Sequence, residues 1–244
     1  MLLFSNNSGK RFVYNRNNAT PDDNLDTHIF INNQAIKILF ADGYISQAQI
    51  LRTYQVQLNE GALGVDKGMG KASHHYNPLT RTGLWKWPTA YDKCCEYIQE
   101  AKINWLNAKY EQGAFLLGEA AHLVQDVCVP HHTTCKVFGG HVKYEKWVKK
   151  HKADYAVEKG GIYDLGASPG EWVHSNALIA MPYLKMVTAN NSEINYDLAS
   201  KILLKRAQRS TAGFLLRFLN TVTLSSDSEF NAESHLKSCP NTNQ

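Results

Sequence analysis

No stretch of this 244-residue chain approaches the roughly 18 consecutive apolar residues of a membrane-spanning helix. In its opening, MLLFSNNSGKRF, a run of only three apolar residues follows Met1, which is not a secretory signal as it stands. Cysteine is sparse and odd in number: Cys94, Cys95, Cys128, Cys135 and Cys239. An odd count in a chain of this size argues against a disulfide framework. The lack of any C-x-x-C pair argues against a thiolate zinc finger. There is no long run of like charge, only a dispersed net charge of +4, which permits an acidic or phosphate-bearing partner without demanding one. There is no internal repeat, and few segments alternate apolar and polar residues as strands do.

What is present is helical periodicity. Hydrophobic residues make up 43% of the chain, enough for a sizeable core in one domain. LDTHIFINNQAIKILF from Leu25 reads as an amphipathic helix, with Asp22 to Asn24 as cap candidates. A second helix is expected from Ser46 in ISQAQILRTYQVQL. NEGALGVDKGMGKASHHYNPLTRTG has no sustained period and reads as a long glycine-rich functional loop. Helix resumes after Trp87–Pro88, with Pro in a first-turn position. GAFLLGEAAHLVQDV is apolar nearly all round, which predicts a central buried helix. A loop with Pro130, Gly139 and Gly140 follows, then helices in HVKYEKWVKKH, in SPGEWVHSNALIAMPYLKMV with its Ser-Pro start, and in NYDLASKILLKRAQRSTAGFLLRFLNTV. The expected fold class is all-α, a single compact multi-helix domain over residues 24–224, with a buried central helix and a metal cluster in a cleft. Residues 1–23 read as a loosely ordered segment and 225–244 as a disordered tail.

Histidine is the informative residue. HLVQDVCVPHH, from His122 to His132, sets three histidines and an aspartate in an apolar context, where such groups are costly unless something binds them. His122 and Asp126 are four apart, so they share a helix face; His141 and Glu145 repeat the spacing on the next helix. Pairs of this kind on neighbouring helices can converge on a metal. Imidazole and carboxylate together suit zinc better than calcium or magnesium, which prefer oxygen ligands. Taken singly, His122–Asp126 also fits a buried hydrogen-bonded pair and His141–Glu145 a surface pair. Both pairs with His132, inside 24 residues, favour metal.

These motifs resemble the bacterial zinc-dependent phospholipase C family, which includes the catalytic domain of alpha-toxins. The family pattern H-Y-x-G-D-x-x-x-P-x-H is matched by His122, Asp126, Pro130 and His132, with Leu123 for the Tyr and Gln125 for the Gly. HVKYE matches its H-x-K-Y-E element. SPGEWVHSNALIA, AQRSTAGFLLRF, ASHHYNP and DTHIFINNQAI resemble four further family segments, so the likeness covers most of residues 24–220. The resemblance implies three zinc ions. His74, His122, Asp126 and Asp66 would hold the first; His132, His141 and Glu145 the second; His28 and a shared Asp126 the third. In the family an amino-terminal Trp completes the third site. No Trp precedes His28 here; the equivalent position lies near Asn15, and either Asp22, Asp23 or Asp26 substitutes or the third metal binds weakly, for two to three ions in all. His75, beside His74, is read as a loop residue facing solvent, with a further ligand as the alternative; His131 is read as a loop neighbour of the ligands, and His174 as a helix-packing or supporting residue. The cysteines are structural, Cys128 included.

The implied activity is hydrolysis of a phosphodiester by phospholipase C, releasing diacylglycerol and a phosphorylated head group. Asp66 would orient or deprotonate the attacking water as well as bind metal. The partner is phospholipid at a membrane or micelle surface, with Trp85 and Trp87 flanking Lys86 either against lipid or as a packed loop end. A secreted, extracytoplasmic enzyme is expected, acting as a monomer. In choline-preferring members, aromatic residues stand where Lys67 and Lys71 stand here, so an anionic head group or none in particular is expected. Two alternatives stay open: a zinc nuclease of the same superfamily, whose last ligand pair is typically His-x-x-x-Asp, and a catalytically weak lipid- or phosphate-binding module with a partial metal site.

Overall fold

The computed structural model describes residues 26–65, 72–135 and 138–237, with side chains described as far as Leu224. Among these residues there are nine α-helices and no β-strand: α1 Thr27–Ala41, α2 Ile45–Thr53, α3 Gln55–Gly64, α4 Ala90–Leu106, α5 Tyr110–Asp126, α6 Pro130–Thr133, α7 His141–His151, α8 Pro169–Ala180 and α9 Glu193–Lys237. The all-α reading is met. The cap of α1 is Asp26, two to four residues nearer the helix than the candidates at Asp22 to Asn24; its carboxylate accepts from the His28 backbone N–H at 2.9 Å. Pro88 lies just outside α4, and Thr89 and Asp92 form the capping box that starts it. Ser168 and Glu171 do the same for α8. The backbone of α9 continues to Lys237, past residue 225, where composition placed the end of the folded part.

The glycine-rich segment is shorter than its composition suggests, because helix continues through Asn59–Gly64. Glycine there serves close packing. A Cβ on Gly118 of α5 would lie 2.0 Å from the Leu58 carbonyl of α3, and one on Gly61 would lie 1.9 Å from the Phe115 carbonyl. Two glycines facing opposite backbones let α3 and α5 touch along their main chains, which outweighs the intrinsic helix cost of glycine.

Helix α5 runs through the middle, with twelve of its 17 residues buried. It packs against α3, α4, α8 and α9. One apolar cluster joins α1, α3, α4, α5, α8 and the second half of α9. A smaller one, with Phe30, Ile31, Tyr144, Val148, Tyr196 and Leu203, holds α7 against the first half of α9. The carboxy-terminal end of α5 emerges where these clusters meet, and there the polar side chains gather.

Candidate metal centre

Asp126, the last residue of α5, is 4% exposed and stands at the centre. His74 Nδ1 lies 2.8 Å from its Oδ2, His122 Nε2 3.0 Å from the same oxygen, and His28 Nε2 3.4 Å from Oδ1. The rings of His28 and His122 stack at 4.0 Å. On the far side, His132 Nε2 approaches Oδ2 at 3.9 Å and Glu145 Oε1 at 3.5 Å. His141 Nε2 is 2.7 Å from that Glu145 oxygen and 3.0 Å from His132 Nε2. Two groups therefore have donor atoms within 4.8 Å of one another: His28, His122 and Asp126, and His132, His141 and Glu145. Both open on one cavity of about 630 Å3.

Each side chain is placed by a local device. The Asp26 cap fixes the first turn of α1, which carries His28. The i,i+4 spacing on α5 stacks His122 over Asp126. Pro130 starts α6 and carries His132 into the cavity wall. Gly140, at φ 116°, turns the chain so that His141 is the first residue of α7.

The donor set fits a zinc-type ion. Metal-binding imidazoles donate their second nitrogen to a fixed acceptor. His122 Nδ1 does so to the Ala62 carbonyl at 2.7 Å, and His28 Nδ1 to Gln125 Oε1 at 2.8 Å. In both rings Nε2 is thereby left facing Asp126. Gln125 in turn donates to Asn32 at 2.8 Å, and Asn32 to Asn59 at 3.1 Å, a line of amides from α5 through α1 to α3. Periodicity and motif spacing give Gln125 and Asn32 no supporting role. Their signal in the sequence is a polar side chain in each of two largely apolar stretches, and Gln125 in place of the family's Gly.

Charge follows the same plan. Burial pushes the Asp126 carboxyl up, but the charges of His122 and His132 and hydrogen bonds from His122 and His74 hold it well below the carboxylate range. Burial also opposes ionisation of Glu145, yet hydrogen bonds from His132 and His141 hold it at about 2. For His28, burial and the His122 charge win over Asp126 and lower its pKa. For His132, Asp126 and Glu145 outweigh burial and raise it.

Seven of the eight expected ligands are thus brought together. The eighth, Asp66, lies outside the described residues, as do Lys67, Lys71, Asn15, Asp22 and Asp23. Three expectations change, the first being that a metal held by both helix pairs would leave Asp126 and Glu145 alike largely buried. Asp126 is buried as a ligand in an apolar segment should be, but the Glu145 side chain is 42% exposed, because α7 turns Tyr144 and Val148 inward and leaves Glu145 at the cavity mouth. His75 does not face solvent; it is 4% exposed and lines the cavity. His131 belongs to α6, buried and stacked on His141 with ring centres 5.0 Å apart. His174 joins helix to loop, its Nδ1 2.8 Å from the Tyr76 hydroxyl. Cys94 and Cys128 are buried free thiols, and burial raises the Cys128 thiol to about 12, which fits an inert role.

Fold and site together define a helical protein with a histidine–carboxylate metal centre at the end of a buried helix. The chain belongs to the zinc dependent phospholipase C family, whose model matches residues 27–211. A phospholipase C of Clostridium perfringens (strain 13 / Type A) is 25% identical over 243 residues, spanning 84% of this chain and 61% of that relative. A phospholipase C of Bacillus cereus is 26% identical over 233 residues, spanning 82% of each. Among solved structures, alpha-toxin of an avian Clostridium perfringens strain, SWCP, matches with a TM-score of 0.69 at 25% identity, over 82% of this chain and 64% of that one. Alpha toxin from Clostridium absonum matches in fold with a TM-score of 0.71 at 24% identity. Among the described residues no helix is long and apolar enough to cross a membrane.

Proposed function

We propose that this chain is a phospholipase C that uses two to three zinc ions to release diacylglycerol and a phosphorylated head group from phospholipid, acting as a monomer outside the cytoplasm. The observation that carries the reading is Asp126, whose two carboxylate oxygens face both donor groups in one cavity. In this reading His28, His74, His122 and Asp126 hold metal at the inner end, and His132, His141 and Glu145 hold it at the mouth. Bound zinc supplies Lewis acidity and positive charge suited to a phosphodiester. Asp66 joins the inner ligands and orients or deprotonates the attacking water. His28 keeps its Nδ1 proton on Gln125 and His122 its own on Ala62, so each Nε2 stays available as a lone pair. The half-exposed Glu145 leaves the mouth open to a substrate at a surface. Trp85 and Trp87, exposed on either side of Lys86, suit the boundary between head groups and acyl chains.

Zinc-loaded protein should release diacylglycerol from mixed micelles, with initial rates on phosphatidylserine and phosphatidylinositol at least equal to those on phosphatidylcholine. Chelation should abolish the release and added zinc restore it. Hydrolysis of DNA or RNA with no attack on lipid would instead assign the nuclease function. Zinc binding without turnover on either substrate would leave a binding module.

A further inference from the structure

His75 belongs to neither donor group, yet it is built into the site. Its carbonyl accepts from the Ala90 N–H at 3.1 Å at the start of α4. The next residue, Tyr76, donates its N–H to the His132 carbonyl at 3.0 Å and bonds His174 through its hydroxyl. The His75 backbone is therefore held on both sides, and its ring packs on that of His132 with centres 5.0 Å apart. The side chain lines the cavity beside His74, His132 and His141.

Its ring nitrogens find no hydrogen-bond partner among the described residues, and Nδ1 is fully buried. A buried polar group without a partner calls for a reason. A neutral imidazole carries one N–H and one lone pair. With no acceptor beside Nδ1, the proton is better placed on Nε2. The site thus holds a rigid N–H donor beside the metal ligands, committed to no protein group. Phenylalanine would fill the same space at no polar cost, so packing alone does not account for a histidine.

We propose that His75 is a substrate-contacting residue, donating its Nε2–H to a non-bridging oxygen of the bound phosphodiester. This rests on the phosphodiesterase reading above. A fixed donor aimed at phosphoryl oxygen is worth most where charge grows in the transition state, so its loss should appear chiefly in kcat.

The test compares zinc-loaded wild type with His75→Phe, which keeps the stacked ring, and His75→Gln, which keeps an N–H. A short-chain phospholipid below its micelle concentration removes surface binding from the rates. Both variants should hold wild-type zinc. His75→Phe should lower kcat/KM by roughly 10- to 100-fold and weaken inorganic phosphate binding by calorimetry, and His75→Gln should recover part of each. In the wild type, phosphate should shift the His75 ring nitrogen resonances, a readout that needs no variant to fold. Unchanged rates and phosphate affinity in His75→Phe would overturn the proposal. So would loss of zinc in that variant, which would make His75 a metal ligand. A wild type that holds zinc and binds phosphate but cleaves no phospholipid would refute the phospholipase reading alone, and the phosphate and resonance measurements would still judge the contact.

Discussion

Asp126 shows how one carboxylate can be more valuable than its neighbours. Four histidines approach it within 4 Å, drawn from α1, the loop before α4, α5 and α6. Asp126→Asn keeps the shape but halves the acceptor capacity and removes the charge. It should cost at least one zinc per chain by elemental analysis and lower kcat/KM by about a hundredfold or more; wild-type zinc content in this variant would put the shared ligand elsewhere. A second residue on the same helix answers to pH. Burial raises the Glu119 carboxyl from its ordinary 4.5 to about 7, with Lys93 opposing and Glu100 adding. A carboxyl with a higher pKa folded than unfolded binds more protons when folded, so its contribution to stability falls as pH rises from 4.5 to about 7 and is constant above. Glu119→Gln in zinc-free protein should therefore raise the melting temperature at pH 8 and hardly change it at pH 4. An equal shift at both values would mean that something other than ionisation had changed.

Among the elements, α7 depends most on the chain that leads into it. Its helical pattern is plain in HVKYEKWVKKH, and its bounds, His141–His151, coincide with that stretch. What puts His141 beside His132 is the turn before it. Gly140 has φ 116°, and a Cβ there would meet the Ala189 backbone nitrogen at 2.2 Å. Gly140→Ala adds left-handed strain and a backbone clash together. It should cost on the order of 2 kcal/mol in urea unfolding and weaken zinc held by His132, His141 and Glu145. Wild-type stability would show that the turn can relax without moving α7. The α3–α5 contact explains why Gly61 lies in helix where composition alone reads loop: composition marks glycine's freedom, while here its lack of a side chain matters.

For the whole molecule, the site lies at the seam between two apolar clusters, and ligands come from both sides of it. Metal should therefore hold the seam closed. Buried Asp126 gains most from a cation, while half-exposed Glu145 gains less, since solvent already screens it. Where free zinc stands about 1,000-fold above its Kd, binding adds about 4 kcal/mol. In a domain of this size each kcal/mol moves the melting temperature by about 2–4 °C, so complete chelation should lower it by roughly 10 °C. An unchanged melt after zinc removal would mean that the two halves are held by packing alone.

Residue spacing by itself determined the helical class and the identity of α5 as the buried helix, because a 3.6-residue period and an all-round apolar surface are local properties. It also determined the pairs His122–Asp126 and His141–Glu145, since four residues make one helical turn. Tertiary structure decided what depends on distant segments meeting. Asp26, not an earlier acid, caps α1, because the helix starts only where Phe30 and Ile31 reach the core. His75 faces the cavity, because Ala90 and His132 hold its backbone from opposite sides. Gln125 steadies His28 across 97 positions of chain, a contact that no local period records.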